Sequence, residues 1–114
     1  TLTFTNTSFN AAYIDKVNGC LNGFLENDVF EITTGENKIP YVGILAKRRP
    51  PGLDDYVRIA PGESLSTKVR LNEAYEFLHG LHDYYAVYTA FHLYPDHSDY
   101  MELVSNKARF QLRK

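Results

Sequence analysis

The sequence lacks tryptophan and has a single cysteine, Cys20, among its 114 residues. One cysteine cannot form a disulfide within the chain, so a small disulfide-stapled fold is excluded. We expect the Cys20 thiol either to be buried and inert or to link two chains. Long apolar runs are also absent: no segment approaches the roughly 20 apolar residues of a membrane-spanning helix. The sequence therefore predicts no membrane insertion.

A large excess of charge of either sign is missing as well. Twelve Lys and Arg stand against 14 Asp and Glu, which gives a net charge of −2. Without a basic field, nothing attracts nucleic acid, and we expect no nucleic-acid partner. The charges are unevenly spread, because acids predominate over residues 1–36, whereas the last eight residues contain four bases and no acid. Such polarity can orient a protein partner or a second copy of the chain.

What the sequence has in plenty is alternation of apolar and polar residues, with nine Tyr and seven Phe. A period of two predicts β-strands, and Pro-Gly and Gly-Glu clusters between them predict turns. A single helix is predicted over residues 72–81, where Leu71, Ala74, Tyr75 and Leu78 recur at helical spacing. Strands are predicted over residues 1–5, 12–15, 29–34, 39–45, 56–59, 64–71, 84–93, 101–104 and 108–112.

This pattern predicts an all-β fold. Domains commonly contain about 100–150 residues, so residues 1–114 are expected to form one domain. Short strands with turn signals every ~8–12 residues are typical of an antiparallel immunoglobulin-like β-sandwich. We predict such a sandwich, with seven or eight strands and one short helix.

An ordered set of short motifs runs through most of the chain. It comprises Asp28-Val29-Phe30-Glu31-Ile32, Ile39-Pro40-Tyr41-Val42-Gly43, Leu45, Lys47-Arg48, Asp55-Tyr56-Val57, Ala60-Pro61-Gly62-Glu63-Ser64, Val69, Leu71, Ala74 and Tyr75. This order resembles the non-catalytic N-terminal β-sandwich region of deuterolysin-type and peptidyl-Lys zinc metalloendopeptidases, found in fungi and bacteria. The resemblance covers roughly residues 2–87 and implies a structural, inhibitory or chaperone-like role. By size and class the chain is also similar to small fungal immunomodulatory proteins with immunoglobulin-like folds.

The chain departs from those enzymes in its catalytic residues. Their His-Glu-x-x-His helix holds zinc on two imidazoles one turn apart, but none of the four His here is followed by Glu. We therefore expect no protease activity, no metal and no cofactor. Two other sets are less favoured than surface polar residues. One is a metal site at His92, Asp96 and His97, and the other is a hydrolase built from Ser64, His82 and Asp83, which lacks a Gly-x-Ser-x-Gly elbow.

Residues 84–93 form the longest predicted strand and carry aromatic side chains on both faces. Tyr84, Tyr88 and His92 share one face at a period of two. They are interpreted either as an aromatic ladder that stabilises the sheet or as an exposed patch for a partner or twofold dimer. The second interpretation makes all three candidate contact residues.

Three further features are candidate sites. Lys47, Arg48 and Arg49 precede two prolines, and a rigid basic loop of this kind loses little entropy when it binds a protein. The sequon Asn6-Thr7-Ser8 predicts an exposed, glycosylated Asn6 if the chain is secreted. Secretion itself is expected, because the chain starts abruptly on a strand at Thr1, as a mature secreted chain does.

Together these features predict a non-enzymatic, secreted protein-binding module. Its partner would be a second copy, a receptor or a protease, and we expect a homodimer. The function would then be immunomodulatory, or inhibitory in the manner of a protease prodomain. The alternative is a carbohydrate-binding module in which exposed Tyr rings stack on sugars, although the absence of Trp, the usual stacking residue, counts against it.

Overall fold

Strands, turns and extended loops account for nearly all of the chain, and the computed structural model describes residues 1–114. Every strand pair is antiparallel, and the all-β prediction is confirmed. No helix of the length and apolarity needed to cross a membrane is present. The nine strands are β1 (Leu2–Thr5), β2 (Ala12–Asp15), β3 (Phe30–Thr34), β4 (Asn37–Lys38), β5 (Tyr56–Ile59), β6 (Ser64–Thr67), β7 (Leu81–Leu93), β8 (Tyr100–Val104) and β9 (Ala108–Arg113).

The strand β7 organises the larger sheet. Its 13 residues are long enough to pair with β3 along one edge and with both β8 and β9 along the other. Tyr85 shows this arrangement, because it lies opposite Thr33 of β3 and Arg109 of β9. The two-residue strand β4 completes the sheet beyond β3, after a turn at Gly35, whose φ of +56° favours glycine.

The edge formed by β8 and β9 contains one extra residue. Val104 lies opposite Thr89, and Ala108 lies opposite Ala86, so four steps along the edge match three along β7. This is the signature of a β-bulge, located at residues 105–107. The bulge changes which residues face inward, from odd-numbered ones in β8 to even-numbered ones in β9.

Two shorter ladders, β1–β6 and β2–β5, lie against one face of this sheet. The two ladders are separated by the turn at Pro61 and Gly62 and by the loop that follows Asn6. Asn6 connects them, because its backbone N–H donates to Glu63 O beside the β1–β6 ladder and its side-chain Nδ2 donates to Ile59 O in the β2–β5 ladder. β2 and β5 form over the residues predicted from alternation, and β1 begins one residue later than predicted.

The core lies between the ladders and the inner face of the sheet. The ring of Phe4 meets the ring of Tyr88 edge to face at 5.7 Å, and Tyr84 stacks on Phe110 at 5.5 Å. Burying one such side chain contributes about 1.5–3 kcal/mol. The most buried large side chains are Tyr84, Tyr88, Ile32, Ile39, His92 and Cys20.

Two predicted elements are wrong. Residues 39–45 form no strand: only Tyr41 makes an isolated bridge, with Tyr75, and Pro40 cannot donate to a ladder. Residues 72–81 form no helix beyond the 3₁₀ turn Leu71–Glu73. Tertiary contacts override the helical spacing there, because the Tyr75 hydroxyl donates to Asp28 Oδ1 at 2.7 Å and accepts from the backbone N–H of Phe30.

Candidate protein-binding surface

The predicted contact stripe of Tyr84, Tyr88 and His92 is buried, and its interpretation as an exposed patch is wrong. All three side chains are at most 2% exposed. The β1–β6 and β2–β5 ladders cover this face of β7, so the stripe belongs to the core. The exposed aromatics of β7 lie on the opposite face, where Phe91 is 54% exposed and Tyr85 is 40% exposed.

His92 is held neutral by a buried hydrogen-bond network. The backbone N–H of Asp15 donates to His92 Nδ1 at 3.2 Å, so that nitrogen is an acceptor and carries no proton. Nε2 then carries the hydrogen and donates to the Tyr88 hydroxyl at 2.8 Å, and this hydroxyl donates to the carbonyl of Asn18. Burial lowers the pKa of His92, while the nearby Asp15 carboxylate opposes this shift. His92 therefore has a structural role, because it connects β2 and β7 through buried hydrogen bonds.

The basic loop divides into one structural and two free cations. Arg48 Nη1 donates to both carboxylate oxygens of the buried Asp15, at 2.9 and 2.8 Å. This pairing anchors the loop to β2. Neither Lys47 nor Arg49 takes part in an ion pair, so their charges are free for a partner.

The basic loop lies beside the exposed aromatics of β7 and β8. Together they form a groove of about 320 Å³, which we call the basic–aromatic groove. The rings of Phe91 and Tyr100 meet edge to face at 6.5 Å along one wall. Its principal lining residues are Arg48, Arg49, Pro50, Pro51, Phe91 and Tyr100.

Neighbouring contacts hold the groove in shape. His97 Nε2 is hydrogen-bonded to the carbonyl of Pro51 at 2.6 Å, which ties the β7–β8 loop to the basic loop. The Tyr56 hydroxyl donates to the carbonyl of Leu93 at 2.7 Å and fixes the end of β7. The resulting surface can bind a carboxylate at the Arg49 guanidinium and an apolar side chain against Phe91 and Tyr100.

The prediction that Asn6 is exposed is wrong, because the residue is only 6% exposed. The Nδ2 atom, to which a glycan would be attached, donates to the carbonyls of Asn10 and Ile59 at 2.7 and 2.9 Å. The side chain is needed inside the fold because it connects the two ladders.

Cys20 is fully buried, so the predicted link between two chains is wrong and the buried alternative is correct. Burial raises the pKa of its thiol to about 12, and the nearby Glu26 carboxylate adds to this shift. A protonated, inaccessible thiol does not exchange disulfides.

The polar groups weighed for catalysis have other partners. Ser64 Oγ is hydrogen-bonded to Thr5 Oγ, and His82 Nε2 is hydrogen-bonded to the carbonyl of His79. His92 is buried, whereas His97 lies in an exposed loop. No group of three or more His, Cys, Asp or Glu side chains is placed to hold a metal ion.

Sequence reasoning missed Phe91 and Tyr100. Neither residue is among the candidate contact residues that the sequence predicts. In the structure Tyr100 begins β8 and pairs with Leu93, and both Phe91 and Tyr100 are exposed. Alternation along β7 places Phe91 on the same face as Tyr85, and alternation along β8 places Tyr100 on the same face as Val104. It does not show which face of the sheet is exposed.

No family model, no curated protein and no solved structure matches this chain.

Proposed function

We propose that this chain is a non-enzymatic protein-binding module with an immunoglobulin-like β-sandwich architecture. In this proposal it acts outside the cell and binds through the basic–aromatic groove. The observation that carries the proposal is that the unpaired cation Arg49 and the two exposed aromatic rings of Phe91 and Tyr100 share one constrained surface. Arg and aromatic residues are enriched at the centres of protein interfaces.

Rigidity favours binding at this surface. Pro50 and Pro51 restrict the basic loop, and the Arg48–Asp15 and His97–Pro51 contacts attach it at two points. A preordered loop loses less conformational entropy when a partner binds. Less of the interaction free energy with a partner is therefore offset by ordering of the loop.

The partner we propose first is a second copy of the chain. Asp96 and Asp99 lie on the β7–β8 loop, which the His97–Pro51 contact holds beside Arg49. A surface with both charge signs can pair with itself across a twofold axis, the commonest symmetry of soluble oligomers. A receptor or a deuterolysin-type protease would use the same groove, and the ordered motifs from Asp28 to Tyr75 support a protease partner.

Light scattering across a wide range of concentrations tests self-association. We expect the mass to rise from monomer to dimer with and without reductant. Phe91→Ser should weaken the dimer about tenfold or more, because losing a central aromatic anchor of the hot-spot kind costs about 2 kcal/mol or more, and about 1.4 kcal/mol is tenfold.

Tyr85→Ser is the matched control. Tyr85 lies on the same face of β7 with similar exposure, but outside the groove. Its substitution should leave the dimer unchanged. A monomer at every concentration, or equal effects of the two substitutions, would contradict self-association through this groove.

Sugar binding is not retained as a second function. The residues proposed for stacking, Tyr84 and Tyr88, are at most 2% exposed, and the face of each ring is covered.

A further inference from the structure

A second groove opens between β1 and β8, on the other side of β8 from the basic–aromatic groove. It measures about 320 Å³, and none of its 15 lining residues carries a charge. Phe4, Ile14 and Tyr88 line it from the core, and Met101 and Leu103 line it from β8. The absence of charge excludes ionised side chains from an occupant, because burying an unpaired charge is costly.

The β1 edge that faces this groove has unpaired backbone groups. Asn6 donates its N–H to Glu63 O and thus continues the β1–β6 ladder. Backbone groups of alternate residues point to opposite edges of a strand. Leu2 and Phe4 therefore point their N–H and C=O toward β6, whereas Thr3 and Thr5 point theirs away from it, on the groove side.

The β8 edge is unpaired in the same way. Tyr94 donates its N–H to Asp99 O, and Ser105 donates its N–H to Tyr88 O, so the odd-numbered residues of β8 bond to β7. Tyr100, Glu102 and Val104 therefore direct their N–H and C=O groups outward. An unpaired edge of this kind is a template for a further strand.

These two edges are less protected than those of β4 and β9. β4 has two residues and is followed by Pro40, and β9 carries Arg109 and Arg113. β1 contains no charge, no proline and no bulge, whereas β8 contains one charge, Glu102, and is followed by the bulge at residues 105–107. Natural sheets blunt exposed edges with such devices, so the β1 edge and the stretch of β8 before the bulge, which flank one apolar groove, are suited to pairing.

We propose that this groove binds an extended segment of another protein, which adds to the β8 edge as a further strand. Alternate side chains of that segment are uncharged and apolar and pack against Met101, Leu103 and Phe4. Main-chain hydrogen bonds supply affinity and the groove supplies selectivity, as in other strand-addition complexes. A second copy suits the edge less well, because symmetric β8 pairing centred on Glu102 brings two carboxylates together.

The probe is a blocked synthetic peptide in which Val and Thr alternate, with one terminal Lys for solubility. We expect its addition to slow amide hydrogen exchange at Tyr100, Glu102 and Val104 at least about tenfold. The same measurement should show no protection at Arg109 and Gln111, whose amides face the unpaired edge of β9. A peptide with Lys in place of Val should protect none of them.

Val104→Pro removes one outward N–H without breaking the bonds between β8 and β7, and we expect it to abolish peptide binding. Gln111→Pro is the matched control, because it removes an outward N–H from the same sheet edge away from the groove. Should Val104→Pro fail to fold, Leu103→Lys places a charge in the groove and should have the same effect. Phe91→Ser should leave peptide binding intact, which separates this site from the basic–aromatic groove.

Three results would overturn the proposal. One is the absence of protection at β8 with saturating peptide. Another is equal binding of the Val and Lys peptides. The third is concentration-dependent protection of the β8 amides without peptide, which would identify a second copy as the occupant.

Discussion

At the scale of single residues, the polar groups that the fold buries are matched by specific partners. Asp15 illustrates this, because its carboxylate binds Arg48 while its backbone N–H fixes the tautomer of His92. No buried side-chain nitrogen or oxygen lacks a hydrogen-bond partner. An unpaired buried polar group costs about 1–3 kcal/mol, so substitutions within this network should act on stability before they act on binding.

His92 should make the folded chain sensitive to mild acid. Burial places its folded-state pKa below the ordinary value of 6.5, so below that pH the unfolded chain takes up a proton that the folded chain does not. The unfolded state binds more protons there, and stability falls as the pH drops from 6.5 toward the folded-state pKa.

Urea unfolding at pH values on either side of 6.5 measures this effect. His92→Gln loses the hydrogen bonds of the imidazole with Asp15 and Tyr88, so it should be less stable than the parent at neutral pH. Because Gln cannot titrate, the variant should lose less stability between the two pH values. An unchanged pH dependence in the variant would assign the acid sensitivity to other groups.

At the scale of elements, the edge formed by β8 and β9 changes its inward-facing residues at the bulge. The extra residue lets Met101 and Leu103 face inward before it, and Phe110 and Leu112 face inward after it. Because side chains alternate, shifting the register by one residue exchanges the two faces of a strand.

Deleting Asn106 removes the extra residue and should leave both strands in register. Val104 can still pair with Thr89 and Ala108 with Ala86, now with equal steps on both strands, so alternation along an unbroken strand keeps Leu103 and Phe110 on the inner face. Thermal unfolding followed by circular dichroism measures the effect, and the deletion should melt near the parent. Phe110→Gln, which places a polar side chain on the inner face, should melt well below it; a deletion that melts as low as this variant would contradict the pairing.

At the scale of the whole molecule, one sheet is covered on one face only. The β1–β6 and β2–β5 ladders protect the inner face, while the outer face of β7 and the free edges of β1 and β8 remain available. Both proposed binding surfaces follow from this asymmetry, and they lie on the two sides of β8.

Cys20 should report opening of the whole molecule. Its side chain is fully buried and the pKa of its thiol is about 12, so the folded chain holds little reactive thiolate. Labelling with a thiol reagent should be at least about a thousandfold slower in buffer than in concentrated urea, given ordinary domain stabilities. The comparison with urea serves as the control. Rapid labelling in buffer would show that the segment around Cys20 opens on its own.

The sequence by itself determined the all-β class, the strands β1, β2 and β5, and the turn at Pro61-Gly62. Period-two alternation and turn chemistry are local properties, and they survive in the folded chain. The sequence also identified the basic loop and β7 as the segments that carry the candidate surface.

Tertiary structure decided which face of β7 is buried and which residues meet. Both faces of β7 carry aromatics, so alternation could not distinguish Tyr88 from Phe91; the covering ladders did. Residues 72–81 do not form the helix that their spacing predicts, because Tyr75 makes tertiary hydrogen bonds instead. Asn6 of the sequon is buried because its side chain is hydrogen-bonded inside the fold. The meeting of Arg49 with Phe91 and Tyr100 depends on pairing between residues about 40–50 positions apart, which no local pattern encodes.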